Sequence, residues 1–456
     1  MKFSNILNWL SKPKNLCITM FIYTILSGLF VQMILLPYIF PSWQSISQEP
    51  GSAKGLLVKM DGQKFHRIAL ELSEAIEEKG WSQWELLPKG QLVSGIAAIF
   101  YVIIYPAPWS VLSVNALLNA SACVCMYLIL ANLIENRQKS LIAALPFIFF
   151  PSNLLWNTQF HNENYAVPGV IFVLYGWTLI TRKNENKVPI PLLEAFSAIL
   201  FVALGSLLLG LVRVYILAGM SCLFIAVGVA LGIHWLFSKI KMREYFVALL
   251  PVLLACTVMI STLSAIAQGF PSLLNDNDST VTKSLRWEQT AWLPKIIEHQ
   301  LRNLAKYRNK FIVEWKHGGS SIDLDIAFMN FGDMAAYIPR SVQIAFLSPF
   351  PSTWFSAGRN DSGTAMRIAS AFEMIFVYFC LFGLPVFFWR NRKQPAVGAI
   401  IFICTAMLIV YAMVIPNIGS LYRFRYPYLM PLVCIGLAGW ILAFENHPVF
   451  GKRKAP

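Results

Sequence analysis

The sequence predicts an all-α, polytopic helical membrane protein with about ten spanning helices, and three observations predict this class. Of the 456 residues, 57% are hydrophobic and 13% are charged, whereas soluble globular proteins are ~45–50% apolar and about 25% charged. Several apolar runs reach about 20 residues, which lets a helix cross a ~30 Å hydrocarbon layer. Basic residues are concentrated in alternate loops between these runs. The composition excludes disordered, collagen-like and disulfide-scaffold classes.

The apolar runs divide the chain into predicted spans and loops. The predicted spans lie near residues 16–39, 110–134, 141–159, 165–181, 190–212, 214–237, 245–268, 367–389, 396–416 and 427–444. The first run begins near Leu16 and has no A-x-A-like cleavage site, so we expect a retained first span rather than a removed signal peptide. All eight cysteines lie inside apolar runs without metal-site spacing, which argues against disulfides and structural zinc.

The loop charges predict the orientation of the chain, because short cytoplasmic loops collect Lys and Arg. Alternate segments carry Lys2, Lys12 and Lys14; Arg137 and Lys139; Arg182, Lys183 and Lys187; Lys239, Lys241 and Arg243; Arg390, Arg392 and Lys393; and Lys452, Arg453 and Lys454. We therefore expect both termini to be cytoplasmic, in a plasma (inner) membrane. The basic residues of the predicted cytoplasmic loops then explain the net charge of +14, and no nucleic-acid partner is expected.

The run from Leu92 to Tyr105 is short for a span. Counting it as one would place every later basic loop on the wrong side, so we predict a re-entrant or interfacial helix on the exported face; a short span is the alternative. The predicted division is a transmembrane module over 1–268, with a first exported loop over 41–91 and the re-entrant helix over 92–105. An exported loop segment over 269–366 and C-terminal transmembrane helices over 367–456 follow.

Each exported segment contains a predicted amphipathic helix. In the first, the apolar positions are Phe65, Ala69, Leu72, Ala75 and Ile76, opposite Glu71, Glu74, Glu77 and Glu78. In the second, the apolar positions are Ile296, Ile297, Leu301, Leu304 and Phe311, alternating with Lys295, Arg302, Lys306, Arg308 and Lys310. The basic helix suits anionic headgroups or lipid phosphates; plain membrane-surface anchoring is the alternative.

Asp61 opens the first amphipathic helix and is followed by Lys64, His66 and Arg67. A carboxylate beside the membrane in a cationic setting could act as a general base or hold a divalent cation. An Asp before a helix is also an ordinary N-cap, so position alone leaves both interpretations open.

The exported turn QFHNENYAVPG, residues 159–169, places His161 beside Glu163 between two apolar helices. A turn between spans has no need of a carboxylate next to an imidazole, which indicates a functional group. The alternative is a solvated turn in which Glu163 suits the dipole of the following helix.

Arginines next to spans form the remaining candidates, since ionisable groups there are costly. Arg423 and Arg425 lie in SLYRFRYPYLMP before the last span, and the guanidinium fork matches phosphate geometry. The surrounding aromatic residues fit an interfacial belt. Arg213 follows the fifth span. Glu194 and Glu373, inside other apolar runs, could pair with it, and a packing or ion-pair role is favoured for both.

The order of these pieces resembles the GT-C superfamily of membrane glycosyltransferases, which includes protein O-mannosyltransferases and bacterial lipid A aminoarabinose transferases. Asp61 stands at the first acidic position of that arrangement and Glu163 at the second. The stretch NALLNASACVCMYLILANL resembles the second span of the family, and YRFRYPYLMP resembles its arginine-bearing loop. The resemblance covers about residues 10–240 and then 415–445.

The resemblance implies transfer of a sugar from a polyprenyl-phosphate-linked donor to a lipid, glycan or protein acceptor on the exported face. Asp61 would be the general base, and Arg423 and Arg425 would stabilise the leaving phosphate. Glu163 with His161 could orient the acceptor, share the base role or bind a cation. Attack by a single base would invert the anomeric centre. The predicted substrate-binding set is His161, Lys64, His66, Arg213, Arg423 and Arg425.

The chain departs from the family pattern in two places that bear on cofactors. The first loop has no DxD-like pair, and the second site is Glu163 within His-Asn-Glu-Asn. A divalent cation such as Mg²⁺ or Mn²⁺, held by Asp61 and Glu163, is therefore left open.

Two rival functions remain open at this point. An O-antigen polymerase or ligase could use His299, Arg302, His317 and Arg340 of the second exported segment. A lipid or sugar transporter or flippase would be expected to show internal repeats, and the sequence shows none.

Overall fold

The computed structural model describes residues 3–43, 54–57, 61–181, 191–237, 242–273, 287–358 and 361–445. The basic positions 2, 182, 183, 187, 239, 241 and 452–454, used above to predict orientation, lie outside the described residues, as do parts of both exported segments. In the described ranges the chain is helical and has no β-strand, and an isolated antiparallel bridge joins Ser321 to Asn417.

The longer helices are numbered here in chain order. They are α1 (Phe3–Leu10), α2 (Pro13–Phe30, continued by a π-helical stretch Val31–Ile39), α3 (Asp61–Lys79), α4 (Leu92–Ile103), α5 (Leu112–Ile134), α6 (Arg137–Phe149), α7 (Pro151–Asn157), α8 (Glu163–Thr181), α9 (Leu192–Phe237), α10 (Met242–Gly269), α11 (Lys295–Glu314), α12 (Phe331–Leu347), α13 (Asp361–Asn391), α14 (Pro395–Val414), α15 (Ile418–Phe424) and α16 (Tyr426–Glu445). Short 3₁₀ turns are Pro41–Trp43, Trp81–Gln83, Pro88–Gly90, Pro108–Val111, Pro271–Leu273 and Pro351–Thr353.

The predicted class, an all-α polytopic membrane protein, is confirmed. Among the described residues, eight helices are long and apolar enough to cross a membrane, and the bent pair α6–α7 makes nine if it is one span. The α6–α7 pair bends by 58°. Phe150 at this break is extended, and proline begins α7, which fits the preference of a residue before proline for extended backbone.

Helix α9 contains two spans rather than one. Arg213 has a non-helical backbone within it (φ −151°, ψ 75°). Gly176 of α8 packs against the stretch 192–212, while the adjacent Trp177 stacks on a phenylalanine of 214–237 at 4.5 Å. Both stretches therefore run beside α8, so the chain reverses at Arg213. They are about 31 and 36 Å long, which agrees with the two predicted spans.

Helices α3 and α4 pack together in the first part of the chain. The inner face of α3 buries Phe65, Ala69 and Ile76, and its glutamates lie on the outer face. Gly95 of α4 approaches the preceding loop so closely that a Cβ there would lie 2.1 Å from the Leu86 carbonyl oxygen. The two predicted helices in this region are therefore confirmed as helices, with α4 ending at Ile103.

The chain divides into two compact units, and the C-terminal helices contribute to both. The first unit comprises Met1–Leu273, Cys380–Ile400 and Val433–Pro456, and the second comprises Leu274–Phe379 and Ile401–Leu432. Asp61, Glu163 and Arg213 thus belong to the first unit, whereas Arg423 and Arg425 belong to the second. Each unit is described by itself below.

Candidate active site

Asp61 is the first residue of α3 and its side chain is exposed. A carboxylate in the first turn suits the positive end of the helix dipole. The next residue, Gly62, has no side chain, and a Cβ there would lie 3.1 Å from the Phe160 carbonyl oxygen. The beginning of α3 therefore packs directly on the segment that leads to Glu163. Two acidic segments far apart in the sequence meet in this part of the first unit.

Glu163 begins α8 and forms a buried ion pair with Arg213, the residue at which α9 reverses. The Arg213 and Glu163 side chains are 8% and 4% exposed. Because an isolated buried charge is costly, each group requires the other. The sequence offered Glu194 and Glu373 as partners for Arg213; the structure instead joins Arg213 to the second acidic candidate.

The segment after α7 has irregular backbone, and neutral amide side chains satisfy its carbonyl groups. Gln32 Nε2 donates to the Thr158 carbonyl at 2.6 Å. Asn164 Nδ2 donates to the Gln159 carbonyl at 2.8 Å, and Asn115 Nδ2 reaches the same oxygen at 3.4 Å. Irregular backbone among spans persists where protein groups replace the missing helix hydrogen bonds. These amides therefore fix the segment that carries His161 and Glu163.

The Gln159 side chain joins this segment to the chain just before α3. Its Oε1 accepts from the Leu57 amide at 2.9 Å, and its Nε2 donates to the Gly55 carbonyl at 3.3 Å. Gly55 has φ +85°, and a Cβ there would lie 2.5 Å from the Gln32 carbonyl oxygen. A larger residue at Gly55 would be both strained and obstructed.

The network continues along α5 and α7 through Asn119 and Asn153. Asn119 Nδ2 donates to Thr24 Oγ1 at 2.9 Å, and Asn157 Nδ2 donates to Asn153 Oδ1 at 2.8 Å. Sequence reasoning missed these residues. The available signal was the repeated occurrence of Asn and Gln inside apolar runs, where a polar side chain requires a partner.

The remaining first-unit candidates differ in their exposure. Lys64 is exposed on α3, about one helical turn after Asp61. His66 is buried, and its Nδ1 lies 2.6 Å from the Tyr101 hydroxyl of α4. His161 is 1% exposed, two residues before Glu163. His66 therefore contributes to the packing of α3 on α4, whereas Lys64 and Asp61 face outward.

Arg423 and Arg425 have different surroundings in the second unit. Arg425 is 1% exposed, and its guanidinium donates to the Ala345 carbonyl at 2.9 Å and to Ser348 Oγ at 3.3 Å. Arg423 is half-buried, with its guanidinium 5.0 Å from the Phe424 ring centre. Arg425 thus ties the end of α15 to the end of α12, and Arg423 is the more accessible of the two.

Two further charged groups hold the second unit together. Asp323 has φ 49° and accepts from Arg340 Nε at 2.9 Å and from the Tyr337 hydroxyl at 2.8 Å. Burial raises the pKa of the Asp323 carboxyl, but the hydrogen bonds from Arg340 and Tyr337 outweigh this effect, so the pKa lies below its ordinary value. Burial raises the pKa of the Tyr337 hydroxyl to about 12. Arg340, a candidate under the polymerase hypothesis, is therefore engaged in an ion pair.

No group of three or more His, Cys, Asp or Glu side chains suited to a metal ion occurs within the described ranges. Asp61 and Glu163 would supply two carboxylate ligands, and Glu163 is already paired with Arg213. In comparisons with known proteins, no family model, curated protein or solved structure matches the chain.

Proposed function

We propose that the protein is a membrane glycosyltransferase that moves a sugar from a polyprenyl-phosphate-linked donor to an acceptor on the exported face of a plasma membrane. The observation that carries the proposal is the contact between the start of α3 and the segment after α7. This contact places the start of α3, where Asp61 is exposed, against the segment that bears the buried Glu163–Arg213 pair. The order of these acidic segments supports a GT-C-like arrangement.

The different surroundings of the two carboxylates support different roles for Asp61 and Glu163. Asp61 is exposed at a helix start and can accept the proton of an acceptor hydroxyl as that oxygen attacks the anomeric carbon. The bond from the anomeric carbon to the donor phosphate breaks as the new glycosidic bond forms, so the configuration inverts. Glu163 is already paired with Arg213. It therefore positions the segment that carries His161 rather than taking the proton.

A donor phosphate requires positive charge, and within the second unit Arg423 is better suited to bind a phosphate than Arg425. Its guanidinium is half-buried, whereas Arg425 is committed to the Ala345 carbonyl and Ser348. A preorganised cation stabilises the charge that develops on the departing phosphate. Arg425 would then hold the loop in which Arg423 lies.

The test compares Asp61→Asn with Asp325→Asn, since Asp325 is also exposed and lies in the second unit. Gently solubilised protein would be studied by native mass spectrometry, and cell-envelope glycans of a strain that depends on each variant would be analysed by mass. We expect Asp61→Asn to retain a polyprenyl-phospho-sugar and to lose glycan transfer by about 10²–10⁴-fold. Asp325→Asn should behave as wild type.

Normal glycan transfer by Asp61→Asn would refute the base assignment. If an O-antigen polymer is also made normally, a polymerase or ligase that acts through its second exported segment becomes the better hypothesis. If wild-type protein retains no polyprenyl lipid, and the Arg423→Ala variant does not differ from it, the donor class is wrong and a transporter gains weight.

A further inference from the structure

Helix α11 carries a straight row of cationic side chains that the proposed reaction does not use. Their spacing of three or four residues places them on one side of the helix over about 22 Å. This cationic stripe consists of Lys295, Arg302, Lys306 and Lys310, and His299 lies in the same row. Of the two acidic residues of the helix, Glu298 is buried and Glu314 ends the helix one turn beyond Lys310.

The opposite side of α11 is fixed to the second unit, so the stripe is held outward. Arg308, counted with the exposed basic residues in the sequence analysis, is fully buried. Its three nitrogens donate to backbone carbonyls at 2.7–2.8 Å, those of Asp323, Ile326 and Met413. Glu298 accepts from the Trp287 indole at 2.8 Å. The expectation that Arg308 contributes to the basic face is therefore wrong, because its guanidinium anchors the helix.

Large apolar side chains are exposed beside the N-terminal end of the stripe. Trp292 is 72% exposed, Ile296 79% and Ile297 49%. A helix with apolar side chains next to Lys and Arg is typical of the boundary between headgroups and acyl chains. Trp in particular is enriched at that depth.

We propose that α11 lies on the bilayer surface and binds anionic phospholipid headgroups along its cationic stripe. Lys295, Arg302 and Lys306 have no ion pair within the part of the chain that the structure describes. A negatively charged surface complements three such cations. The stripe extends over about 22 Å, further than one donor phosphate can reach, so several headgroups are the matching ligand. This interaction is separate from the transfer reaction and would anchor the second unit.

The experiment measures lipid binding through Trp292 in the full chain, in mixed micelles of a neutral detergent. Brominated phosphatidylglycerol or brominated phosphatidylcholine is titrated, and the signal of the Trp292→Phe protein is subtracted to isolate quenching at this position. The test variant is Arg302→Gln/Lys306→Gln. The control is Arg392→Gln/Lys393→Gln, which likewise removes one Arg and one Lys; both of these are exposed, whereas Lys306 is half-buried.

Wild-type protein is expected to bind the brominated phosphatidylglycerol more tightly than the phosphatidylcholine. Each cation at an anionic surface contributes about fivefold, so the test variant should lose about 25-fold in affinity for phosphatidylglycerol. The control variant should keep the wild-type affinity for phosphatidylglycerol, and high salt should weaken the binding of this lipid to the wild-type protein.

Four outcomes would overturn the proposal. Equal quenching by both lipids would mean that apolar contacts alone hold α11 on the bilayer. No quenching by either lipid would mean that α11 does not contact the bilayer. A preference that survives in the test variant would place the anionic lipid elsewhere. Displacement by one equivalent of polyprenyl phosphate would identify a donor site instead. Glycan transfer is not measured, so failure of the transferase proposal leaves the result unaffected.

Discussion

Replacing Arg213 by methionine while Glu163 is retained should destabilise the protein by about 3–5 kcal/mol, because a buried carboxylate then loses its partner. The estimate depends on the burial of the pair, with side chains 8% and 4% exposed. Glu163→Gln should cost a similar amount, since it leaves the guanidinium unpaired. The double variant removes both charges and should cost no more than either single variant. The resulting coupling energy is at least about 3 kcal/mol.

The free energy of unfolding would be measured by denaturant titration in mixed micelles for the four proteins of this cycle. A second cycle on Lys89 and Glu71 serves as the control, because that pair has a 2.5 Å N–O distance but side chains that are 64% and 49% exposed. Exposed pairs contribute about 0–1 kcal/mol. If the effects of the Arg213 and Glu163 variants simply add, the pair does not stabilise the reversal of α9, and the assignment of Glu163 as a positioning residue is wrong.

Two other predictions concern neutral and charged contacts. Gln32→Leu removes the 2.6 Å hydrogen bond to the buried Thr158 carbonyl but leaves the 3.3 Å hydrogen bond from Gln159 Nε2, so it should lower the free energy of unfolding by about 1 kcal/mol. Gln268→Leu, which removes an exposed hydrogen bond, should change the free energy of unfolding little. Asp323 has a lowered pKa, so its contribution to stability is present above its unfolded pKa of about 3.9 and is lost as pH falls through the folded pKa. Unfolding of wild type and Arg340→Gln, followed from about pH 5 to pH 2, should show a smaller acid-induced loss in the variant; an identical loss would exclude this ion pair as its source.

The spans could be predicted from the sequence because the membrane requires long apolar helices with satisfied backbone groups. The reversal at Arg213 was also foreseen, since a charged residue between two apolar runs favours a loop. In the structure the two runs are separated by a single residue with non-helical backbone, Arg213, at which the chain reverses. The pattern of apolar runs thus predicts that the helix ends at Arg213, but it does not predict how tight the turn there is.

The pairing of charged groups could not be predicted in the same way. Arg213 selects Glu163 because α8 and both halves of α9 lie side by side, and this neighbourhood depends on close packing at glycines such as Gly176. Arg308 and Arg425 were expected to be exposed or ligand-facing, yet each is buried against backbone carbonyls. An arginine in a loop has the same sequence signature whether it binds a ligand or a carbonyl group.

The neutral amides explain how one exposed carboxylate can be placed accurately beside a membrane. Gln32, Asn115 and Asn164 satisfy the carbonyl groups after α7 without introducing charge. Charged groups in their place would require partners of their own and would shift the electrostatic potential around Asp61. Glu163 is balanced by Arg213, whereas Asp61 is exposed at the start of α3 and can meet a substrate proton there. The proposed transfer reaction requires this arrangement, in which neutral amide side chains hold the segment after α7 and the base, Asp61, is exposed.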